Sequence, residues 1–215
     1  IGADENSESR YARTKALGER YVFEAVPDAT VLRPSIVFGA EDQFFNRFAD
    51  MARFSPFLPL IGGGKTMFQP VYVNDVAEAV AKTVDGAVPG GRVYELGGPE
   101  ILSFRALMEE MLLVIDRKRR FLDIPFGAAE RLAGLMKYLP GAPLTHDQVQ
   151  QLRQDNVVSQ AAKAEGRTFE AFGIQPRTLE AVLPTYLVRF RPQGQFTKGS
   201  PTSDQTIDPE IAPRP

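Results

Sequence analysis

The sequence contains no cysteine and a single histidine in 215 residues. Without thiols the chain has no disulfide, no thiol nucleophile and no thiolate metal site, a composition that fits a reducing compartment. The single histidine, His146, has no second histidine or any cysteine with which to share a metal ion. We therefore assign no metal and interpret His146 as a solvated residue in the first turn of a helix.

Long apolar runs and an excess of charge of one sign are also missing. The longest uncharged apolar runs, such as residues 111–115, are far shorter than the roughly 20 residues that a membrane-spanning helix needs. Lys and Arg number 25 against 27 Asp and Glu, which gives no electrostatic case for nucleic acid as a partner. The first residues show neither the basic nor the apolar region of a signal peptide. They also lack an initiator Met, so a processed or truncated product is expected.

Short β-type segments alternate with helical patterns of roughly 10–15 residues, which predicts an α/β fold with a parallel or mixed sheet covered by helices. Strands are predicted at 30–33, 67–73, 92–96 and 121–124, and helices at 7–25, 43–54, from Asn74 or Asp75 to 84, 103–116, 126–138, 146–155 and 178–190. Asn74 or Asp75, Ser103 and Thr145 are the predicted helix caps for three of these. Pro56, Pro59 and the glycines at 62–64 predict a flexible connection.

The last segment of the chain differs in composition from the rest. From Pro192 onward the residues are mainly Gln, Gly, Pro, Ser, Thr and Asp, with few large apolar side chains. Such a segment cannot bury enough surface to offset its ordering entropy. We expect residues 192–215 to form a flexible tail that orders only on binding.

Tyr11 and Lys15 are the first candidates for chemistry. A spacing of four places both side chains on one face of a helix, one turn apart. A cation one turn away stabilises a phenolate, which suits the phenol to proton transfer. A Tyr and a Lys at this spacing are more often neighbours on a solvated helix face, so the pair gains its meaning from the motifs that follow it.

Four motifs follow one another in order along the chain: YARTK at 11–15, RPSIVFG at 33–39, VNDVA at 73–77 and VYELGG at 93–98. This series resembles the second half of extended short-chain dehydrogenases/reductases, and the resemblance covers about residues 1–190. It implies that residues 1–100 are the C-terminal half of a Rossmann-like NAD(P)-binding domain, with a substrate-region segment inserted at about 40–66. Residues 101–191 would then be a small C-terminal α/β region.

The resemblance also implies roles for particular residues. Tyr11 would be the acid/base, and Lys15 would steady it and bind ribose hydroxyls. Pro34, Ser35, Ile36 and Val37 would lie against the nicotinamide; Arg33, Asp75 and Gly97 would be structural. The family's glycine-rich phosphate loop, its catalytic Ser and the residue that separates NAD from NADP belong upstream of Ile1, so about 100–130 further residues are expected there.

Several segments are similar to the short-chain-dehydrogenase-like accessory subunit of respiratory complex I and its bacterial relatives: 9–19, 38–48, 69–73, 145–149 and 155–156. This similarity implies NADP(H), rather than NAD(H), held as a structural cofactor. It implies the subunits of the peripheral arm of complex I as partners and a cytoplasmic protein that is peripheral on the inner (respiratory) membrane. The alternative is an NAD(P)-dependent epimerase, dehydratase or reductase acting on a sugar nucleotide or similar small molecule. A pure interaction module is disfavoured because Tyr11 and Lys15 are both present.

Two further clusters have competing interpretations. The basic run at 117–120 is either a favourable placement of cations at the end of a helix or a docking site for an acidic partner or anionic lipid headgroups. The aromatic residues Phe44, Phe45 and Phe48, with Phe54 and Phe57 beyond them, have partial helical spacing. We expect this aromatic cluster to form core or subunit contacts rather than a stacking platform.

Overall fold

A computed structural model of the chain describes residues 1–136 and 144–192, and eight α-helices lie within these ranges. The helices are α1 (Arg10–Ala25), α2 (Phe45–Phe54), α3 (Val73–Val84), α4 (Phe104–Val114), α5 (Phe126–Met136), α6 (His146–Gln151), α7 (Gln160–Ala164) and α8 (Leu179–Leu187). The Ser9, Ser103 and Thr145 side chains accept hydrogen bonds from first-turn N–H groups and so cap α1, α4 and α6. The caps predicted at Ser103 and Thr145 are confirmed.

Eight short strands alternate with these helices and pair in twos. They are β1 (Thr30–Pro34), β2 (Val37–Phe38), β3 (Phe57–Ile61), β4 (Met67–Phe68), β5 (Val71–Tyr72), β6 (Arg92–Leu96), β7 (Leu102–Ser103) and β8 (Arg120–Ile124). The pairs β1–β6, β2–β5 and β3–β8 are parallel, and β4–β7 is antiparallel. Parallel strands joined through helices make this an α/β protein, as predicted.

Three buried clusters hold the described elements together, the smallest of them joining β3 to α5 and α6. The largest cluster packs α2, α4 and α8 around β3, with Leu58, Leu107 and Leu187 among its fully buried members. The second cluster joins β6 to α3 and to a 3₁₀ helix at Phe169–Phe172, with the Tyr94 and Phe172 rings in edge contact at 5.1 Å between centroids. Because α2 and β3 pack with α4 and α8, the segment between β2 and β4 belongs structurally with the later part of the chain.

The connection predicted between α2 and β4 is wrong in two respects. Residues 57–61 form strand β3, in register with β8, rather than a flexible connection. The three glycines that follow form a 3₁₀ helix, Gly62–Gly64, with φ near +62° to +69° at each. Glycine adopts this left-handed backbone at little cost, so the segment is a defined turn rather than a flexible one.

The region from 67 to 84 also departs from the prediction. The single strand expected at 67–73 is split at Pro70, which has no N–H to donate, and Val73 already belongs to α3. Tyr72 is the N-cap of α3 and makes no side-chain cap, so neither Asn74 nor Asp75 has the predicted capping role. The Asp75 carboxylate is buried and instead accepts a 2.7 Å hydrogen bond from the backbone N–H of Arg177.

Helices at the end of the chain differ in length from the prediction. The helix expected at 146–155 ends at Gln151, and the helix expected at 178–190 is α8 followed by the 3₁₀ helix Val188–Phe190. The end of the helix expected at 126–138 and all of the predicted tail except Pro192 lie outside the described residues. In the part of the chain that the structure describes, no helix combines the length and apolar character needed to cross a membrane.

Candidate functional site

Helix α1 presents Tyr11 and Lys15 on the same face. The Lys15 Nζ atom lies 5.5 Å from the centre of the Tyr11 ring, and the Tyr11 side chain is about half exposed. A cation over an aromatic face is attracted by the ring's electrons, which holds the two side chains together. The pair is therefore arranged as the spacing of four predicts, with the phenol free to meet a ligand.

A cleft of about 510 Å³ opens beside this pair. Its walls come from the first residues of the chain, α1, the connection from β1 to β2, and residues 150–156. All six predicted site residues line it: Tyr11, Lys15, Pro34, Ser35, Ile36 and Val37. The fold thus brings together two motifs that are about 20 residues apart in sequence, and the roles assigned to them stay a prediction.

The loop after β1 is held in place by Asn156. The buried Ser35 hydroxyl donates to the Asn156 backbone oxygen at 2.8 Å and to Asn156 Oδ1 at 2.6 Å. The Ile36 N–H donates to the same Oδ1 atom at 3.0 Å. Asn156 therefore fixes both a side chain and a backbone group of the loop predicted to face a nicotinamide. Sequence reasoning noted Asn156 only as part of a resemblance and missed this contact.

Asp147 makes a corresponding contact with α1. Its carboxylate accepts hydrogen bonds from the backbone N–H groups of Arg10 (2.6 Å) and Tyr11 (3.3 Å), from the Ser9 hydroxyl (3.1 and 3.2 Å) and from Gln151 Nε2 (2.9 Å). Desolvation acts to raise the pKa of Asp147, but these hydrogen bonds outweigh it and leave the pKa below its ordinary value. Sequence reasoning missed Asp147 as well.

Arg33 links the floor of the cleft to α1. Its Nε atom donates to Glu19 Oε1 at 2.9 Å, and its Nη2 atom also bonds to the Glu19 carboxylate. A second carboxylate, that of Glu95 on β6, lies 3.9 Å from Arg33 Nη1. These contacts join α1, β1 and β6, which agrees with the structural interpretation of Arg33.

Two arginines of the basic run at 117–120 make hydrogen bonds within the protein. Arg117 Nε donates to the backbone oxygen of Phe190, and Arg119 Nε donates to that of Ala52, at 2.8 and 2.7 Å. Burial lowers the pKa of Arg117, and the neighbouring cations Arg119 and Arg53 add to this effect. These two side chains therefore tie the loop after α4 to α2 and to the end of the described chain.

The aromatic cluster forms core contacts, as expected. The Phe44 ring contacts those of Phe45, Phe48, Phe68 and Phe104, and the Phe48 ring also contacts that of Phe104, at centroid distances of 5.0 to 6.0 Å. Phe54 and Phe57, by contrast, are exposed on the surface. Within residues 1–136 and 144–192 no group of three or more His, Cys, Asp or Glu side chains is placed to hold a metal ion.

The fold and the cleft define a Rossmann-like α/β protein. A solved structure of dTDP-glucose 4,6-dehydratase from Bacillus anthracis, in complex with NAD, has the same fold with a TM-score of 0.60 and 16% identity. The match covers 85% of this chain and 52% of that one. The Rossmann-like class predicted from the motifs is confirmed.

Residues 3–118 match the family model described as RmlD substrate binding domain, and the chain belongs to that family, within the extended short-chain dehydrogenases/reductases. It is 35% identical over 221 residues to NADH dehydrogenase [ubiquinone] 1 alpha subcomplex subunit 9, mitochondrial, of Arabidopsis thaliana, covering 98% of this chain and 52% of the relative. It is 31% identical to 2-alkyl-3-oxoalkanoate reductase of Stenotrophomonas maltophilia, covering 71% and 52% respectively. The chain spans about half the length of these relatives, and the predicted family resemblance is confirmed.

Proposed function

We propose that this chain is part of a dinucleotide-binding accessory subunit of NADH:quinone oxidoreductase. The observation that carries the proposal is its similarity, over nearly its whole length, to a subunit of the mitochondrial enzyme from Arabidopsis thaliana. The cleft beside Tyr11 and Lys15 supplies a place for the ligand. The partners would be peripheral-arm subunits of the complex, and the protein would be cytoplasmic and peripheral on the respiratory membrane.

The residues of the cleft fit one end of a dinucleotide. Lys15 offers ammonium donors for ribose hydroxyls, and residues 34–37 offer a wall for the nicotinamide. Gln150 also lines the cleft, and its Nε2 atom donates to Glu130 Oε1 at 3.1 Å. NADP(H), rather than NAD(H), is the proposed ligand on the strength of the resemblance to the complex I subunit.

The proposed organisation follows the packing. Residues 1–100 would form the nucleotide-binding part, except that the segment at about 40–66 joins residues 101–191 in a C-terminal region. The buried contacts of α2 and β3 with α4 and α8 support this division. The cleft lies where both parts supply residues, since 150–156 belong to the second.

Membrane fractionation tests the proposal. The full-length protein is expected to migrate with NADH dehydrogenase on blue-native electrophoresis of detergent-solubilised membranes and to retain dinucleotide at about one per copy. A ligand that is never released stabilises the fold, by about 4 kcal/mol at 1,000 times its dissociation constant. Deletion of the gene should weaken the complex. A protein found only in the soluble fraction, with NADH oxidation unchanged after deletion, would reject the proposal.

A second function, an NAD(P)-dependent epimerase, dehydratase or reductase, has its own supporting observation. Tyr11 is half exposed beside the cleft with Lys15 over its ring, an arrangement suited to proton transfer to a ligand. The dinucleotide, when bound, would supply hydride chemistry. Tyr11 would give or take the proton at the reacting oxygen, and Lys15 would stabilise the phenolate. Conversion of a sugar nucleotide or similar substrate by the soluble full-length protein would favour this function.

A further inference from the structure

The backbone N–H groups at the start of α1 are satisfied in an unusual way. The first four N–H groups of a helix have no partner within it. The Ser7 hydroxyl accepts from the N–H of Ser9, the N-cap residue, at 3.1 Å, and the Ser9 hydroxyl accepts from the Ala12 N–H. The other two belong to Arg10 and Tyr11, and both donate to the Asp147 carboxylate. A residue from α6, more than 130 positions away in sequence, therefore completes the first turn of the helix that carries Tyr11.

The negative charge of Asp147 acts on α1 in addition to the hydrogen bonds that its oxygen atoms accept. Helix α1 has no acidic residue in its first turn, where a negative charge interacts favourably with the helix dipole. Asp147 supplies that charge from outside the helix. Its position is itself fixed by the hydrogen bond from Gln151, one turn further along α6. Because one of the two N–H donors is that of Tyr11, the carboxylate sets the position of the Tyr11 backbone directly.

Nine residues further on, Asn156 holds the opposite wall. Its Oδ1 atom accepts from the Ser35 hydroxyl and the Ile36 N–H. The Asn156 backbone is anchored in turn, since its N–H donates to the Met67 carbonyl at 2.8 Å and its carbonyl accepts from the Gln69 N–H at 3.1 Å. The segment 147–156 thus contacts both walls of the cleft through one polar side chain at each end.

We propose that residues 147–156 act as a clasp that sets the spacing between the Tyr11 helix and the Ser35–Ile36 loop, with Asp147 and Asn156 as positioning residues. The inference rests on the proposed function only in taking a dinucleotide as the ligand of the cleft. Neither residue is assigned a chemical step. Each acts through a group that would meet the ligand: Asp147 through Tyr11, and Asn156 through Ser35 and Ile36.

Hydrogen–deuterium exchange of the full-length protein without nucleotide tests the clasp by itself. Asp147→Ala is expected to speed exchange in peptides containing Arg10 and Tyr11 about fivefold, the equivalent of losing one helix cap. Asp147→Asn keeps an acceptor oxygen but loses the charge. Its exchange rate should fall between those of Asp147→Ala and the wild type. The matched control is Asp123→Asn, because Asp123 on β8 is an exposed carboxylate whose partner is Arg105 on α4. It should leave these peptides unchanged.

At Asn156, a conservative substitution distinguishes the loss of the hydrogen-bond acceptor from the loss of side-chain volume. An aspartate at position 156 retains an oxygen that can accept from Ser35 and Ile36, whereas alanine does not. Asn156→Ala should therefore speed exchange at Ile36 about fivefold, by the same loss of one acceptor, and Asn156→Asp should restore protection. Equal exchange in both variants would overturn the role of Asn156. Faster exchange spread over β1 and α4 in Asp147→Asn would show a general loss of stability and would overturn the local role of Asp147.

Titration with NADPH, followed by nicotinamide fluorescence, extends the test to binding. Asp147→Ala and Asn156→Ala are expected to raise the dissociation constant about fivefold, while Asp123→Asn leaves it unchanged. If the wild type binds no dinucleotide, the proposed function fails, and the exchange results still decide the clasp. Local exchange changes without a change in NADPH affinity, in a wild type that does bind, would overturn the positioning role.

Discussion

Tyr11 combines a fixed backbone with a half-exposed side chain beside the cleft. Replacing it by Phe removes only the transferable proton and the hydroxyl hydrogen bond. We expect Tyr11→Phe in the full-length protein to leave the NADPH dissociation constant within about twofold and, if the protein is an enzyme, to lower turnover by about 10²–10⁴. Lys15→Ala should weaken NADPH binding as well. Fluorescence titration and substrate assays measure both effects.

The exposed Tyr21, on the same helix, supplies the control for this comparison. Tyr21→Phe should change neither binding nor turnover. An active enzyme with Phe at position 11 would remove the acid/base assignment from Tyr11. Weakened binding in that variant alone would show instead that the hydroxyl holds the ligand.

A second tyrosine, Tyr186 on α8, is buried and donates a 2.6 Å hydrogen bond to Asp42 Oδ2. Burial raises the pKa of Tyr186, and the hydrogen bond and charge of Asp42 raise it further. Its folded pKa therefore exceeds the unfolded value of about 10, so its contribution to stability is present below pH ~10 and is lost as pH rises above it. Tyr186→Phe should lower the free energy of unfolding by about 1.5–3 kcal/mol near pH 8.

Urea denaturation at several pH values measures this effect. The free energy of unfolding of the wild type should fall more steeply above pH ~10 than that of Tyr186→Phe, because only the wild type has this shifted phenol to ionise on unfolding. Parallel curves for the two proteins would contradict the prediction. Tyr21→Phe, at an exposed position, should change stability by less than about 0.5 kcal/mol.

At the scale of elements, Gly98 sets how closely two chain segments approach after β6. A Cβ atom added there would lie 1.9 Å from the carbonyl oxygen of Pro70, between β4 and β5. We expect Gly98→Ala to lower the free energy of unfolding by about 1–3 kcal/mol, since backbone must move to admit the methyl group. Gly127 in α5 has no atom within 4 Å of its Cβ position. Gly127→Ala should therefore be neutral or stabilise by up to about 1 kcal/mol in the same denaturation experiment.

The elements that sequence reasoning found are those whose signal is local. Helix α4 has a serine cap and an apolar face within one segment, and β6 is a continuous β-type run that ends at two glycines. Strand β3 was missed because Pro56, Pro59 and three glycines suggest a loop, and its partner β8 begins about 60 residues later. Pairing with a distant strand overrides local propensity, and no local pattern records it.

The residues of the candidate site also divide into those with a local sequence signal and those without one. Tyr11, Lys15 and residues 34–37 could be predicted because each lies in a short motif whose order along the chain resembles a known family. Asp147 and Asn156 could not, since their partners lie more than 100 positions away. Asp75 shows the opposite error: its position suggests a cap, yet its carboxylate bonds to Arg177 near α8. Local sequence shows which side chain is available and leaves open what it will contact.

At the scale of the whole molecule, β1 pairs on one side with β6, and on its other side the Ile1 nitrogen donates to the Pro34 carbonyl at 2.8 Å.

The sequence has no glycine-rich phosphate loop of the G-x-G-x-x-G type. Dinucleotide phosphates bind to such a loop at a helix N-terminus. We expect the 215-residue chain alone to bind NADPH at least tenfold more weakly than the full-length protein. Titration calorimetry on both proteins checks this, and equal affinity would contradict it.

The largest buried cluster has a consequence for synthesis. It unites Phe38 with α4 and with Phe190, so its packing needs side chains spread over about 150 residues. At a translation rate of 5–20 residues per second, the ribosome takes on the order of 10–30 s to pass from the first of these to the last. In the later part of that interval the apolar face of α4 has been made but its partner α8 has not. The nascent chain should therefore be a substrate for chaperones until α8 has been made.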